Sequence, residues 1–442
     1  MRHLISLLAL LAGAVSTVPA AAQSARSAPQ LLPFGGPNPW PAIRRERIRT
    51  LLPAAMQSAG VDAWVTLLRE NANDPLALHV GGENAGAPSA VLFLRTGDAV
   101  RSVILSGFGE AIALRELGLH DSVVVYDAAV GLMPAIAEQL QAADPMRIAV
   151  NSSPALPIAD GLTASQRTAL EAALPLAWRE RLVPSAPLVQ AWLAVKLPAE
   201  VAIMRRAAAL TVQLEHEAYA SVRPGVSRDS DIAAFLKRRM RQLGVEDGWS
   251  PAQNPSVNSG PDRGHSHASD RVIQRGDVIQ IDFGIKVHGV WVTDIQRFAY
   301  VLRRGERVPP AEVQQRWRHG RDGGRAAFDA MRPGIPGSAV DSAQRLLMTA
   351  AGSATVPWGT GHPVGYWAHD VGPGLNRRAT ALLAEGQVFA FDGFHAWTLP
   401  GGDGTWGNGS KTISVEEMAV ITKTGAEYLV PPQQELILIR SR

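Results

Sequence analysis

The chain has 442 residues, room for two or three domains. It is 46% hydrophobic and 19% charged, which excludes wholesale disorder, and a net charge of +3 is too weak to argue for nucleic acid or an acidic membrane as partner. There is no Cys, so disulfides, thiolate metal sites and thiol nucleophiles are excluded, and any metal must sit on His, Asp or Glu.

The N-terminus comes first. Arg2 and His3 precede an uncharged run from Leu4 to Val18, followed by Pro19-Ala20-Ala21-Ala22-Gln23. The apolar run is shorter than the ~20 residues of a membrane span and ends in small residues, which predicts a secretory signal peptide, residues 1–22, cut after Ala22. The mature protein is then expected to be exported, periplasmic or secreted, with no stable membrane insertion. Residues 23–40 are rich in Ala, Ser and Pro and read as a flexible tether.

From 41 to 190, short apolar runs alternate with helical patterns. Helical spacing at Ile48, Leu51, Leu52 and Met56 comes first. Strands are expected at Ala63–Leu68, Ala90–Leu94, Val103–Leu105, Ser122–Tyr126 and Arg147–Val150, with a helix over Gly131–Ala142. This alternation predicts an α/β domain with a mixed or parallel sheet. No ionisable residues cluster there at catalytic spacing, so the domain reads as structural or substrate-limiting. Pro184–Pro198 is a plausible boundary, followed by a long helix from Pro198 and a second after Ser227-Arg228-Asp229-Ser230.

The C-terminal half holds two similar segments. Gly276 leads through an apolar strand to Asp282, and Gly386 leads through another to Asp392. A second strand follows each: Val290–Tyr300 with Asp294, and Thr412–Ile421 with Glu416 and Glu417. A carboxylate inside an apolar strand costs several kcal/mol unless it is paired, protonated or bound to a cation. Acids at matched positions in two hairpins therefore suggest a common cation. His362 lies between the hairpins, His369 follows it, and His265 and His267 precede Asp282. Carboxylates with imidazole and no thiolate suit Mn²⁺, Co²⁺ or Zn²⁺. His216-Glu217 opens a zincin-like motif, but position 220 is Ala.

These residues resemble the creatinase/methionine aminopeptidase superfamily of pita-bread metallopeptidases, in its Xaa-Pro aminopeptidase and Xaa-Pro dipeptidase (prolidase) branch. The resemblance rests on Lys196-Leu-Pro-Ala-Glu200, His265 to Asp282-Phe-Gly284, and His362-Pro-Val-Gly365 with His369-Asp370. It implies an α/β N-terminal domain followed by an α+β pita-bread catalytic domain, residues 196–440, with pseudo-twofold repeated β-hairpins. It further implies two divalent metal ions, Mn²⁺ first and Co²⁺ or Zn²⁺ as alternatives. Asp282 would chelate one, Asp294 and Glu416 would bridge both, and His362 and Asp392 would complete the other. His265, with His267 as rival, and His369 would serve the scissile carbonyl, and Asp392 the proton. The implied reaction is attack of a metal-bridging hydroxide on the bond before proline, in a small peptide with proline at the second position. A homodimer is expected from the same resemblance.

The chain departs from the branch at several positions. Asp392 stands where the branch has Glu, Trp358 where it often has His, and Ser414 where it often has Arg. Tyr366 and Ala368 replace aliphatic residues. Trp358 and Trp406 are candidates for an apolar substrate wall. The departures motivate two alternatives: a related hydrolase of a non-peptide C–N or ester bond, and a catalytically retired pita-bread binding protein.

Overall fold

A computed structural model describes residues 32–263, 266–403 and 409–440. The predicted signal peptide, His265 and Trp406 lie outside them.

The N-terminal sheet has six strands, in the spatial order Ser122–Val125, Ala99–Ser106, Ser89–Thr96, Ala63–Leu68, Ile148–Val150 and Leu182–Pro184. The three central strands pair antiparallel and the outer ones parallel, so the sheet is mixed. Its strand Ala63–Leu68 is buried throughout because apolar cores cover both of its faces. Helix Trp40–Thr50 opens this region, with Trp40 buried. One apolar core extends from Trp40, Trp64 and Trp192 into Trp291 and Tyr366, so both domains share it.

The second domain repeats one order of elements: two helices, a short strand, then a hairpin. In the first half these are Pro198–Ser221, Asp229–Leu243, Ser256–Asn258, and the strands Val278–Phe283 and Ile295–Val301. In the second half they are Ala311–Ala330, Gly337–Ala350, Gly361–Pro363, and the strands Val388–Thr398 and Ser410–Ile421. Pro198 occupies the first helical turn, where its missing N–H costs nothing. Glu200 accepts from the Leu197 N–H at 2.9 Å and closes that turn. Gly244, at φ +67°, ends the second helix.

All six strands form one sheet, with the two hairpins side by side: Ser410–Ile421 borders Ile295–Val301. The strand expected over Val290–Tyr300 is broken. Trp291–Val292 pairs instead with Ile285–Val287 in a small sheet completed by Glu246–Asp247. At Gly284 the backbone passes so close to Thr293 that an added Cβ would lie 2.0 Å from its carbonyl oxygen. Behind Asp392, Gly393 meets Gly320 and Gly324 of helix Ala311–Ala330 backbone to backbone, and a Cβ on it would lie 2.1 Å from the Gly320 oxygen. Among the described residues, no helix is long and apolar enough to cross a membrane.

Candidate metal centre

Register brings the acids together. Asp392 lies opposite Glu416, Glu416 opposite Gln296, and Gln296 opposite Asp282. One row therefore crosses four strands, from the second hairpin into the first. Directly opposed residues share a face of an antiparallel pair, so register alone gathers side chains that are far apart in sequence. Asp294 precedes the strand Ile295–Val301, and His362 lies on the short strand opposite Ala390.

A cavity of about 540 Å³ opens over this row. Asp282, Asp294, His362, Asp392 and Glu416 all line it, as do His369 and Trp358. His362 Nε2 lies 3.8 Å from Asp294 Oδ2 and 3.7 Å from Glu416 Oε1. One ligand atom from each of these three residues fits within a mutual 4.8 Å. His362 Nδ1 lies 3.1 Å from the Pro363 carbonyl oxygen, which can only accept. Nδ1 therefore carries the proton, and Nε2 presents its lone pair to the acids. The His369 ring stands edge-on to His362, with centroids 4.2 Å apart. His369 itself is exposed and Trp358 half-buried.

The electrostatics of this group favour a cation. Asp282, Asp294 and Glu416 are only 7%, 6% and 3% exposed. Burial pushes the Asp294 carboxyl well up, and repulsion from Asp282 and Asp392 adds to it. Glu416 is raised by burial and then by the same three acids, and Asp392 by burial and Asp282. No Lys or Arg pairs with Asp294, Asp392 or Glu416 among the described residues. Glu416 Oε2 is buried without a hydrogen bond. Oxygen donors with one imidazole, crowded and short of positive charge, fit one or two hard or borderline divalent cations. Glu417 points elsewhere: Arg297 Nη2 donates to its Oε2 at 2.9 Å in a buried ion pair.

Sequence reasoning missed some of the surroundings. Gln280 and Gln296 line the cavity beside Ser414, and Asp262 and Arg263 line it ahead of residue 264. Only the strand register singles out the two glutamines. His267 is exposed. His265 and Trp406 fall outside the described residues.

The chain is similar to known peptidases. The model of metallopeptidase family M24 matches residues 202–423. A probable dipeptidase PepE of Mycobacterium tuberculosis is 28% identical over 250 residues, 55% of this chain and 60% of that protein. An Xaa-Pro dipeptidase of Pyrococcus furiosus is 25% identical over 252 residues, 55% of this chain and 65% of that protein. The chain thus spans about 60% of the length of the curated relatives it matches. Among solved structures, an Xaa-Pro dipeptidase from Bacillus anthracis superposes with TM-score 0.68 at 21% identity, covering 90% of this chain and all of that one. An X-Pro aminopeptidase from Thermotoga maritima gives 0.66 at 21% identity, covering 87% of this chain and all of that one. The C-terminal domain has the pita-bread fold, and the chain belongs to metallopeptidase family M24.

Proposed function

We propose that the protein is an exported dinuclear-metal peptidase that cleaves the bond before proline in small peptides with proline at the second position. The observation that carries this reading is the convergence of four carboxylates and His362 on one cavity. Asp282, Asp294, His362, Asp392 and Glu416 would hold two divalent cations, Mn²⁺ first and Co²⁺ or Zn²⁺ as alternatives. Bound there, such ions polarise a carbonyl and lower the pKa of water. The side chains do the rest. Asp392 would take the proton of the attacking water and return one to the leaving amine. His369 and His265 donate to the charge that develops on the carbonyl oxygen. Trp358 lines the cavity and offers an apolar wall for the substrate. Cleavage after Ala22 and assembly as a homodimer belong to the same proposal.

The test is direct. Chelator-stripped protein is assayed on Xaa-Pro and Xaa-Pro-Xaa peptides with added Mn²⁺, Co²⁺ or Zn²⁺. Cleavage that returns with metal and disappears in Asp282→Ala supports the reading. A chain that binds no cation under any loading condition sinks it.

Ser414 favours one second reading, a hydrolase of a non-peptide C–N or ester bond. Its hydroxyl donates to Gln296 Oε1 at 2.9 Å, so this position offers no cation to the free carboxylate of a dipeptide. A panel of dipeptides, longer peptides, small amides and esters separates the two.

A further inference from the structure

Asp392 and Ser414 are two of the positions at which the chain departs from the pattern the resemblance implies. The structure links these two departures through a third residue, and the inference drawn from that link rests on the metal-centre reading above. Gln296 is the neutral position in the row, between Asp282 and Glu416. Its Oε1 accepts from Ser414 Oγ at 2.9 Å and from Gln280 Nε2 at 2.6 Å. With that oxygen held by two donors, Nε2 turns to the acids, 3.5 Å from Asp392 Oδ1, with Glu416 directly opposite on the neighbouring strand. The opposite amide orientation would set a carbonyl against two carboxylates, so the neighbours decide it. Gln296 is 7% exposed, and at such burial a hydrogen bond to a carboxylate gains strength.

We propose that Gln296, backed by Gln280 and Ser414, is a positioning residue that holds the short Asp392 carboxylate and Glu416 in place to receive the second cation. Ser414 and Asp392 then belong to one device. The hydroxyl orients the amide, and the amide supplies from behind the order that a longer side chain would gain by reach. A large cationic side chain at 414 would remove the donor that fixes the amide. Residues that orient metal ligands in this way are commonly worth ten- to a hundredfold in affinity.

The experiment is calorimetric titration of chelator-stripped full chain with MnCl₂, read beside the thermal midpoint of the metal-free protein. Wild type is expected to take up two ions. Gln296→Met keeps the length and removes the amide; the weaker binding step should lose roughly ten- to a hundredfold, while the metal-free midpoint does not fall. Adding Asp392→Glu to that variant should return the step to within about threefold of wild type, because the longer acid needs less support. Ser414→Ala removes one of the two donors and should cost a few-fold; it serves if Gln296→Met does not fold. Wild-type affinity for both ions in Gln296→Met, or in Ser414→Ala where that substitutes for it, overturns the proposal. So does equal loss in the single and double variants. A wild-type chain that takes up no ion overturns the metal-centre reading itself, and the proposal with it.

Discussion

Arg47 Nη1 and Glu200 Oε2 meet at 2.6 Å with both side chains fully buried, tying the first helix of the N-terminal domain to the first helix of the second. Arg47 also donates to the carbonyls of Val195 and Trp192, at 2.8 and 2.5 Å. Glu200 accepts from the Tyr366 hydroxyl at 2.6 Å and from Trp291 Nε1 at 3.2 Å. Burial works to raise the Glu200 carboxyl, but Arg47 and Tyr366 outweigh it and leave it below its ordinary range. Removing one partner strands the other charge. Glu200→Ala should cost about 3–5 kcal/mol in urea denaturation, and Arg47→Met with Glu200→Leu should cost less than Glu200→Ala alone.

The crowded acids predict opposite effects on binding and on the empty fold. Glu416→Ala should abolish cation uptake, measured by elemental analysis after loading. The same change removes a buried like charge beside Asp294 and Asp392, so the midpoint of the chelator-stripped protein should rise. A fall in that midpoint would argue that Glu416 is chiefly structural.

Asp392→Asn keeps the size of the side chain and removes its basicity. On a cleavable Xaa-Pro peptide, kcat should drop by roughly 10²–10⁴, with KM changing far less. Loss confined to KM would assign position 392 to binding.

Gly393 sits where strand and helix touch without side chains. Gly393→Ala should cost about 3 kcal/mol or more, since the opposing atoms are backbone and cannot rotate away. The displaced strand carries Asp392, so the hydrolytic rate should fall with the unfolding midpoint.

His395 predicts acid sensitivity. Burial, with His319 and Arg316 beside it, pushes its ring down from near 6.5 to about 4. The ring centroids of His319 and His395 are 4.9 Å apart, and both Nδ1 atoms are buried without hydrogen bonds. The folded ring stays neutral where the unfolded ring takes a proton. Its contribution to stability is therefore present above about pH 6.5 and lost as pH falls toward 4. His395→Gln should flatten the slope of melting temperature against pH across that window. An unchanged slope would place the acid sensitivity elsewhere.

The acids are legible in the sequence because a carboxylate in an apolar strand has few tolerable explanations, and two matched hairpins narrow them further. Strand Ala63–Leu68 and the long helix from Pro198 are legible from local periodicity. The register of Gln296 against Glu416 is not, because it joins strands from different hairpins and no local pattern encodes it. Gln296 reads as an ordinary polar strand residue until that register is known. The same holds for Arg47, whose partner lies 153 residues away. The break before Ile295 escapes detection because it depends on one glycine admitting a distant carbonyl.

The strand alternation that sets the Arg297–Glu417 pair behind the sheet has a consequence for the centre in front of it. Glu416 and Glu417 are chemically identical neighbours, and a one-residue slip of their strand would exchange them. That slip would set Glu416 against Arg297 in place of Glu417, but it would also carry Ile413 and Val415 out of their apolar core and into the cavity. The apolar and polar alternation around the two acids therefore works as a key. It admits one phase of the strand, with Ser414 and Glu416 facing the cavity and Val415 and Glu417 facing away from it.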